Sequence, residues 1–325
     1  LFVQHESSRQ LKYAKSRANN AGVDLYLDMP LGVNPSSYDV WKNQSLFVTG
    51  LSVGAPPDKF FTAGQDWGFH PLNPHMVRYA GYEYVSACLK SQMKYADVLR
   101  LDHVMSNHRL YVIPKGFSAL DGVYLRYKSD EWWAVICLEA HLNQCQVIGE
   151  NLGIVPPEVI SDMNRHQVSG MHVLQCEPKT ESEEISSNTV ASINTHDMPT
   201  LAGYWHADDI EDRRDLGLIN ETDGYEHEIE QRTEELAGML NMLGIDEDAK
   251  TIDLREVLTK SISQLAKSDA RRLLINLEDL WLETKPQNVP GTVSERPNWR
   301  RKMKLSFEEI MSSDEIKRIL KSVKR

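Results

Sequence analysis

The sequence predicts an α/β protein built as a TIM-type (β/α)8 barrel with helical insertions. Short runs of aliphatic and β-branched residues alternate with segments of helical periodicity, which is typical of a parallel sheet or barrel. Three of these runs end beside a carboxylate, namely Asp102 in VLRLDHV, Glu150 in QVIGENLG and Asp197 in ASINTHDM. Because the C-terminal strand ends of a barrel converge on one face, we expect these three side chains to lie close together.

The predicted strands are short and are separated by helical patterns. Strands are expected near residues 23–29, 97–103, 145–150, 171–176, 190–196 and 271–278. Helices are expected at residues 8–21, 75–95, 131–143 and 156–166. Residues 34–73 are rich in Pro, Gly, Asn and aromatic side chains without a steady period, and they are expected to form a long functional loop.

The pattern divides the chain into three parts. Residues 1–205 are expected to form the central part of the barrel, with the strands that carry the carboxylates. Residues 206–270 are charged and helical, with LAGMLNMLG as an apolar stripe, and are expected to form a helical insertion subdomain. Residues 271–325 are expected to hold the last barrel strand and the C-terminal helices.

Composition excludes several classes of function. The net charge of −11 argues against nucleic acid as a partner, because phosphate binding needs basic patches. The sequence contains no apolar run of about 18 residues, so no membrane span is expected. The four cysteines have no Cys-x-x-Cys spacing and lie mostly in apolar runs, which favours reduced thiols and a cytoplasmic location.

Arg100 and Asp102 are the first candidate catalytic pair. They are two residues apart on one strand and therefore point to the same face. An arginine beside a carboxylate lowers the pKa of the carboxyl group and keeps it ionised, as a nucleophile requires. A buried ion pair without chemistry is the alternative interpretation.

Glu150 and Asp197 are the other candidate carboxylates. Glu150 lies at an apolar strand end, where burial should raise its pKa, as a general acid requires. Its alternative role is to stabilise the start of the following helix. Asp197 follows His196 and precedes Pro199, so Asp197 could instead be an N-cap and His196 a structural histidine.

Other kinds of site are weakly indicated. His103 and His108, with Asp102, resemble a metal-ligand cluster, yet HExxH and paired Cys/His motifs are absent. The sequence also lacks GxGxxG, a Walker loop and G-x-S-x-G. We therefore expect no metal and no cofactor.

The aromatic residues point to a sugar substrate. Trp67 lies in the polar, Gly-flanked segment GQDWG, where a ring can pack against the flat C–H face of a sugar. Trp132 and Trp133 lie in a predicted helix and are expected to pack in the core. Together with the carboxylates, Trp67 indicates an enzyme that acts on glycosides.

The chain resembles the amylomaltases, the 4-alpha-glucanotransferases of the alpha-amylase superfamily. The matching segments keep the family's order over residues 25 to 302; they are LYLDMPLGV, GAPPDKFFTAGQDWGFHPLNP, VLRLDHV with RLYVIPKG, VIGENLG, NTHDMPT and PGTVSERPNWRRK. The resemblance implies that Asp102 is the nucleophile, Glu150 the acid/base and Asp197 the third carboxylate.

The resemblance also implies the residues that bind substrate. Arg100 and His196 match partners of the subsite where the bond is cut. Asp28 is a further candidate for substrate binding, and the strand that holds it matches the third strand of the barrel. Asp58, Gln65 and Trp67 match a loop on the acceptor side. Asn298, with Trp299 and Arg300, matches the C-terminal motif.

The implied activity is transfer of α-1,4-glucan segments between maltooligosaccharides by retaining double displacement, without a cofactor. Two alternatives stay open, an α-glucan hydrolase of the same superfamily and a non-catalytic glucan-binding barrel or inactive fragment. The chain departs from the family at Asn151, where an Asp is usual, and at Met198, where many members have Asn.

The chain starts at Leu1 rather than Met, and only six of the eight strands of a barrel are found. The resemblance places no counterpart of the first two strands in this sequence. We therefore expect a further N-terminal segment of the same protein to complete the barrel.

Overall fold

The computed structural model describes residues 1–57, 63–178, 180–219 and 223–323. They fall into two units, Leu1–Gly170 and Met171–Arg325. The strands of the described residues are, in chain order, β1 (Tyr26–Met29), β2 (Leu51–Ala55), β3 (Gln65–Asp66), β4 (Val98–Leu101), β5 (Arg109–Pro114), β6 (Val123–Arg126), β7 (Gln146–Gly149), β8 (Gly170–Val173), β9 (Thr189–Ser192) and β10 (Arg272–Leu274).

The helices alternate with the parallel strands. In chain order the α-helices are α1 (Phe2–Asn20), α2 (Tyr38–Lys42), α3 (Pro74–Tyr79), α4 (Glu83–Met93), α5 (Ser129–Asn143), α6 (Pro157–Arg165), α7 (Leu201–Trp205), α8 (Asp208–Asp215), α9 (Asp223–Met242), α10 (Leu254–Lys267), α11 (Phe307–Ser312) and α12 (Asp314–Lys321). Short 3-10 segments lie at Gln44–Leu46, Val104–Asn107, Ala119–Asp121, Ser182–Glu184 and Leu277–Trp281. None of the helices in the described part is long and apolar enough to cross a membrane.

The first unit is organised around a parallel sheet with the order β1-β4-β7. Asp28 of β1 pairs with Arg100 of β4, which pairs with Ile148 of β7. A parallel bridge joins Ile148 to Ser169, just before β8. Because paired residues of neighbouring strands point to the same face, this register places Asp28 and Arg100 side by side.

The second unit contains the parallel sheet β10-β9-β8. Arg272 of β10 pairs with Val190 of β9, and the pairing continues to Ser192. Each of the six predicted parallel strands is therefore present, and the alternation of strand and helix confirms the α/β class. Closure of these strands into one barrel stays a prediction.

A second sheet in the first unit corrects the expectation for residues 34–73. These residues are not one irregular loop, because β2 and β3 form an antiparallel sheet with β5 and β6 in the order β3-β2-β5-β6. Leu51 pairs with Pro114, which is distant in sequence, so the pairing leaves no local periodicity. Gly54 allows the close approach of β3, since a Cβ there would lie 2.0 Å from the carbonyl oxygen of Gln65.

Two further element predictions need correction. The helix expected over 75–95 is divided into α3 and α4, because Gly81 and Tyr82 both adopt left-handed backbone angles, with φ of 61° and 60°. The strand expected over 271–278 ends at Leu274. The Asn276 side chain then accepts a hydrogen bond from the Glu278 N–H and starts the 3-10 segment Leu277–Trp281.

Each unit has its own apolar core. In the first unit α4 and α5 cover the parallel sheet, and Trp133 is fully buried, as expected for a core tryptophan. In the second unit α10 buries Leu258 and Ile262 in the core that contains Ala191 of β9. The last helix of the predicted insertion, α10, therefore packs against β9 and precedes β10 in the chain.

Candidate active site

Arg100 bridges two carboxylates in the first unit. It lies on β4 with 5% of its surface exposed. Its Nη1 donates to Asp28 Oδ1 at 2.7 Å, and its Nη2 lies 2.9 Å from Asp102 Oδ1. Burial by itself would lower the pKa of Arg100, but the charges of Asp28, Asp102 and Glu150 raise it by a larger amount. The net pKa is therefore above the usual value, and the guanidinium stays charged. The structure brings together Arg100 and Asp102, as the sequence predicts, and adds Asp28.

Glu150 lies directly after β7 with 8% of its surface exposed. Its Oε2 accepts the backbone N–H of His103 at 2.9 Å, and its Oε1 accepts the backbone N–H of Leu152 at 2.6 Å. Burial raises the pKa of Glu150, and the nearby charge of Asp102 adds to the rise. The Leu152 N–H, Arg100 and the His103 N–H oppose it. The raised pKa confirms the expectation from the sequence, whereas the helix-start interpretation is wrong because α6 begins only at Pro157.

His103 connects Glu150 to the aromatic part of the site. Its backbone is left-handed, with φ of 47°, and this conformation accompanies the N–H donation to Glu150. Burial lowers the pKa of His103 to about 4, so the imidazole is neutral near pH 7. The ring packs edge-on against Trp67 at 5.4 Å, while His108 pairs with Asp162 at 3.2 Å. The two histidines therefore have separate surroundings, which does not favour a shared metal site.

Gln65 and Trp67 lie together beside His103. The indole N–H of Trp67 donates to Gln65 Oε1 at 3.2 Å, and its backbone N–H donates to the carbonyl oxygen of Val53 at 2.8 Å. The indole also stacks on Phe69 at a centroid distance of 6.3 Å. These contacts hold the Trp67 ring in a fixed orientation. Asp58, the third predicted residue of this segment, lies outside the described residues.

Asp197 lies in the second unit, on the loop between β9 and α7. His196 Nε2 lies 3.2 Å from Asp197 Oδ2, and the Asn288 side-chain amide donates to Asp197 Oδ1 at 2.7 Å. The N-cap interpretation of Asp197 is wrong, because α7 begins at Leu201 and Thr200 is its cap. Since β9 ends at Ser192, Asp197 is a loop residue and not a strand-end residue.

The predicted binding residue Asn298 holds its own loop together. Its Nδ2 donates to the carbonyl oxygen of Thr292 at 3.0 Å and to Thr292 Oγ1 at 2.9 Å. Its Oδ1 accepts the Val289 N–H at 3.0 Å. The next residue, Trp299, is 62% exposed and lies 5.7 Å from the ring of His196. Asn298 thus shapes the loop that presents Trp299.

Two residues of these surroundings were missed by the sequence analysis. Asn288 contacts Asp197 directly, and its position just before the matched segment PGTVSERPNWRRK could have drawn attention to it. Asp279 is only 1% exposed, and burial raises its pKa to about 6. It lies in LEDLW, beside a second acidic residue and next to a predicted strand, so no local signal marked it.

The comparisons with known proteins agree with the resemblance. The family model described as 4-alpha-glucanotransferase matches residues 1–306. The 4-alpha-glucanotransferase of Haemophilus influenzae is 34% identical over 97% of this chain and 47% of its own length. That of Mycobacterium tuberculosis is 32% identical over 92% of this chain and 43% of its own length. The chain spans about half the length of these relatives.

Two solved structures share the fold. The amylomaltase from Corynebacterium glutamicum has a TM-score of 0.90 at 27% identity and covers 98% of this chain, which matches 49% of that protein. The amylomaltase from Streptococcus agalactiae, solved in complex with acarbose, has a TM-score of 0.75 at 22% identity. It covers 97% of this chain, which matches 60% of that protein, and its likeness concerns the fold alone.

Proposed function

This chain belongs to the 4-alpha-glucanotransferase family, and we propose from that premise that the protein transfers α-1,4-glucan segments between maltooligosaccharides by retaining double displacement. One observation carries the proposal. Asp102 is ion-paired to the buried Arg100, while Glu150, at the end of the neighbouring strand, is buried and has a raised pKa. Retaining chemistry needs one ionised carboxylate as the nucleophile and one protonated carboxyl group as the general acid, and these two surroundings suit those roles.

In the first step the Asp102 carboxylate attacks the anomeric carbon of the donor glucan. Glu150 gives its proton to the glycosidic oxygen as that bond breaks, so the shortened glucan leaves as an alcohol. Arg100 supports this step by keeping Asp102 ionised. The two backbone N–H donors, from His103 and Leu152, stabilise the Glu150 carboxylate that the proton transfer leaves behind.

In the second step the glycosyl group passes to the acceptor. The Glu150 carboxylate takes the proton of an acceptor sugar hydroxyl, whose oxygen then displaces Asp102 from the anomeric carbon. We propose that Asp197, His196 and Asp28 bind hydroxyls of the donor sugar and that Gln65, Trp67 and Asp58 contact the acceptor. Asn298 contributes to glucan binding indirectly, because it organises the loop that presents Trp299. No cofactor enters either step.

Two broader proposals accompany this activity. The parallel sheets β1-β4-β7 and β10-β9-β8 support a TIM-type barrel as the architecture of the whole protein. Cys88, Cys137 and Cys145 form no disulfide bond, which supports reduced structural cysteines and, with them, the proposed cytoplasmic location.

Incubation of the purified full-length protein with maltotriose tests the proposal. Glucose together with longer maltooligosaccharides is the expected result. Glucose and maltose alone would instead indicate a hydrolase, and unchanged maltotriose would contradict both activities. Asp102→Asn is the matched control, and it should lose turnover by several orders of magnitude because a neutral amide cannot replace the nucleophile. Activity within about a tenth of the wild-type rate would contradict the assignment of Asp102.

A further inference from the structure

The loop that carries Asp197 is fixed at its ends and open in its middle. We define the 194–201 loop as the segment from Asn194 to Leu201. Asn194 and Leu201 are 5% and 0% exposed, whereas the side chains of His196 and Asp197 are 37% and 39% exposed. The position of the Asp197 carboxylate therefore depends on how the two buried ends are held, as well as on the hydrogen bond from Asn288.

One side chain holds both ends of this loop. Asp279 Oδ1 accepts the backbone N–H of Leu201 at 2.8 Å. Its Oδ2 accepts the side-chain amide of Asn194, also at 2.8 Å. Asp279 is 1% exposed, so neither hydrogen bond competes with solvent. Both partners are donors, and only a group that accepts on both oxygens satisfies them together.

The segment around Asp279 adds further contacts to the same loop ends. Asn276 donates to Asn194 Oδ1 at 3.4 Å, and the Thr200 hydroxyl donates to the carbonyl oxygen of Glu283. A Cβ on Gly203 would lie 2.5 Å from the carbonyl oxygen of Thr284, so the start of α7 is packed directly on this segment. Residues 276–284 thus form the support on which the 194–201 loop rests.

We propose that Asp279 is a positioning residue, which sets the location of Asp197 by clamping both ends of the 194–201 loop. The inference rests on the proposed function in one respect, namely that Asp197 acts on the bound glucan. Asp279 itself touches no substrate. An asparagine at this position puts an NH2 group opposite the NH2 group of Asn194, so either that hydrogen bond is lost or the Asn194 amide rotates and gives up the bond from Asn276. In both cases the end of the loop at Asn194 is held less firmly. Burying an ionised carboxylate is costly, so the neutral amide is not expected to prevent folding.

Three variants of the full-length protein test the clamp. Asp279→Asn breaks one of the two hydrogen bonds. The double variant Asp279→Asn with Asn194→Asp exchanges amide and carboxylate, so that each donor again faces an acceptor. Glu139→Gln is the matched control, because Glu139 is a carboxylate with 6% exposure whose partners, Ser86 and Asn143, lie on α4 and α5. The readouts are kcat and KM for maltotriose and hydrogen exchange of residues 194–201.

Asp279→Asn should lower kcat by about 10- to 100-fold with a smaller change in KM. The reason is that a displaced Asp197 would lose contacts that stabilise the transition state more than the bound substrate. Hydrogen exchange of the loop should become faster. The double variant should recover most of the activity and protection, and Glu139→Gln should change neither.

Several outcomes would overturn the clamp. One is an Asp279→Asn variant with wild-type kcat and wild-type exchange in the loop. Another is an equal loss in Asp279→Asn and Glu139→Gln, which would mean a general effect on folding. A double variant no better than Asp279→Asn would also reject it. If the wild-type protein leaves maltotriose unchanged, the proposed function fails, and the exchange measurements still decide the clamp.

Discussion

Asp102 and Glu150 carry the same functional group in different surroundings. The side chain of Asp102 is 32% exposed and lies against the Arg100 guanidinium. Glu150 is buried, and its pKa is raised despite two backbone N–H donors. Such a contrast between neighbouring carboxylates is how one site holds an ionised nucleophile and a protonated acid at the same pH. At the residue scale, we therefore propose that burial and not residue type assigns the two roles.

Asn151→Asp tests the acid role of Glu150. A negative charge at the next residue disfavours ionisation of Glu150, so its pKa should rise further. The basic limb of the pH–rate profile reports loss of the acid's proton, and it should move to higher pH. The measurement is kcat/KM for maltotriose across pH, with Asn151→Ser as a neutral control. An unshifted basic limb in Asn151→Asp would show that this side chain does not affect the acid.

At the scale of elements, strand pairing and loops bring together the candidate site residues within each unit. Parallel pairing of β1 with β4 places Asp28 beside Arg100, and the ends of β4 and β7 carry Asp102 and Glu150. In the second unit the loop over residues 287–299 carries both Asn288, which contacts Asp197, and Trp299, which contacts His196. This loop has no regular hydrogen-bond ladder of its own, so its shape depends on side-chain hydrogen bonds, including those of the Asn298 amide.

Asn298→Ala should loosen this loop. The change removes both donations to Thr292 and leaves the Val289 N–H without its acceptor, at a cost of roughly 1–3 kcal/mol to loop order. We expect a higher KM for maltotriose and faster proteolysis within residues 289–298. Asn298→Asp keeps an acceptor for Val289 and should have an intermediate effect. Equal KM and equal proteolysis in wild type and the alanine variant would refute this role.

At the scale of the whole molecule, the acidic chain keeps buried carboxylates at a cost in stability. The net charge is −11, and Asp279 lies in the core of the second unit. Burial raises its pKa from 3.8 to about 6, against the opposing effect of the hydrogen bonds from Leu201 and Asn194. The folded protein therefore binds this proton more tightly than the unfolded chain does.

The pH dependence of stability follows from that difference. Protonation of Asp279 stabilises the folded protein relative to the unfolded chain. This stabilisation is present below about pH 4 and is lost as the pH rises through about 6. Relative to Asp279→Asn, the wild type should gain roughly 2 kcal/mol in the free energy of unfolding between pH 7 and pH 4. Denaturant unfolding of both proteins at several pH values measures this, and effects of other carboxylates cancel in the difference. A difference that stays constant, or that shrinks toward pH 4, would contradict the raised pKa.

The sequence by itself determined the parallel strands and the identity of the candidate carboxylates. Strand and helix periods are properties of neighbouring residues, so all six parallel strands were predicted. The contact of Arg100 with Asp102 followed from their spacing on one strand. The six matched segments identified the family, because the order of the motifs is kept at about one third sequence identity.

Only the tertiary structure decided which distant residues meet. The pairing of β2 with β5 and the contact of Asn288 with Asp197 join segments far apart in sequence, and neither leaves a local pattern. The same is true of Asp279, because nothing in its local sequence shows that its carboxylate accepts hydrogen bonds from Asn194 and Leu201. Burial and hydrogen bonding are properties of the folded chain, so the raised pKa of Asp279 and the support of the Asp197 loop exist only once that fold has formed.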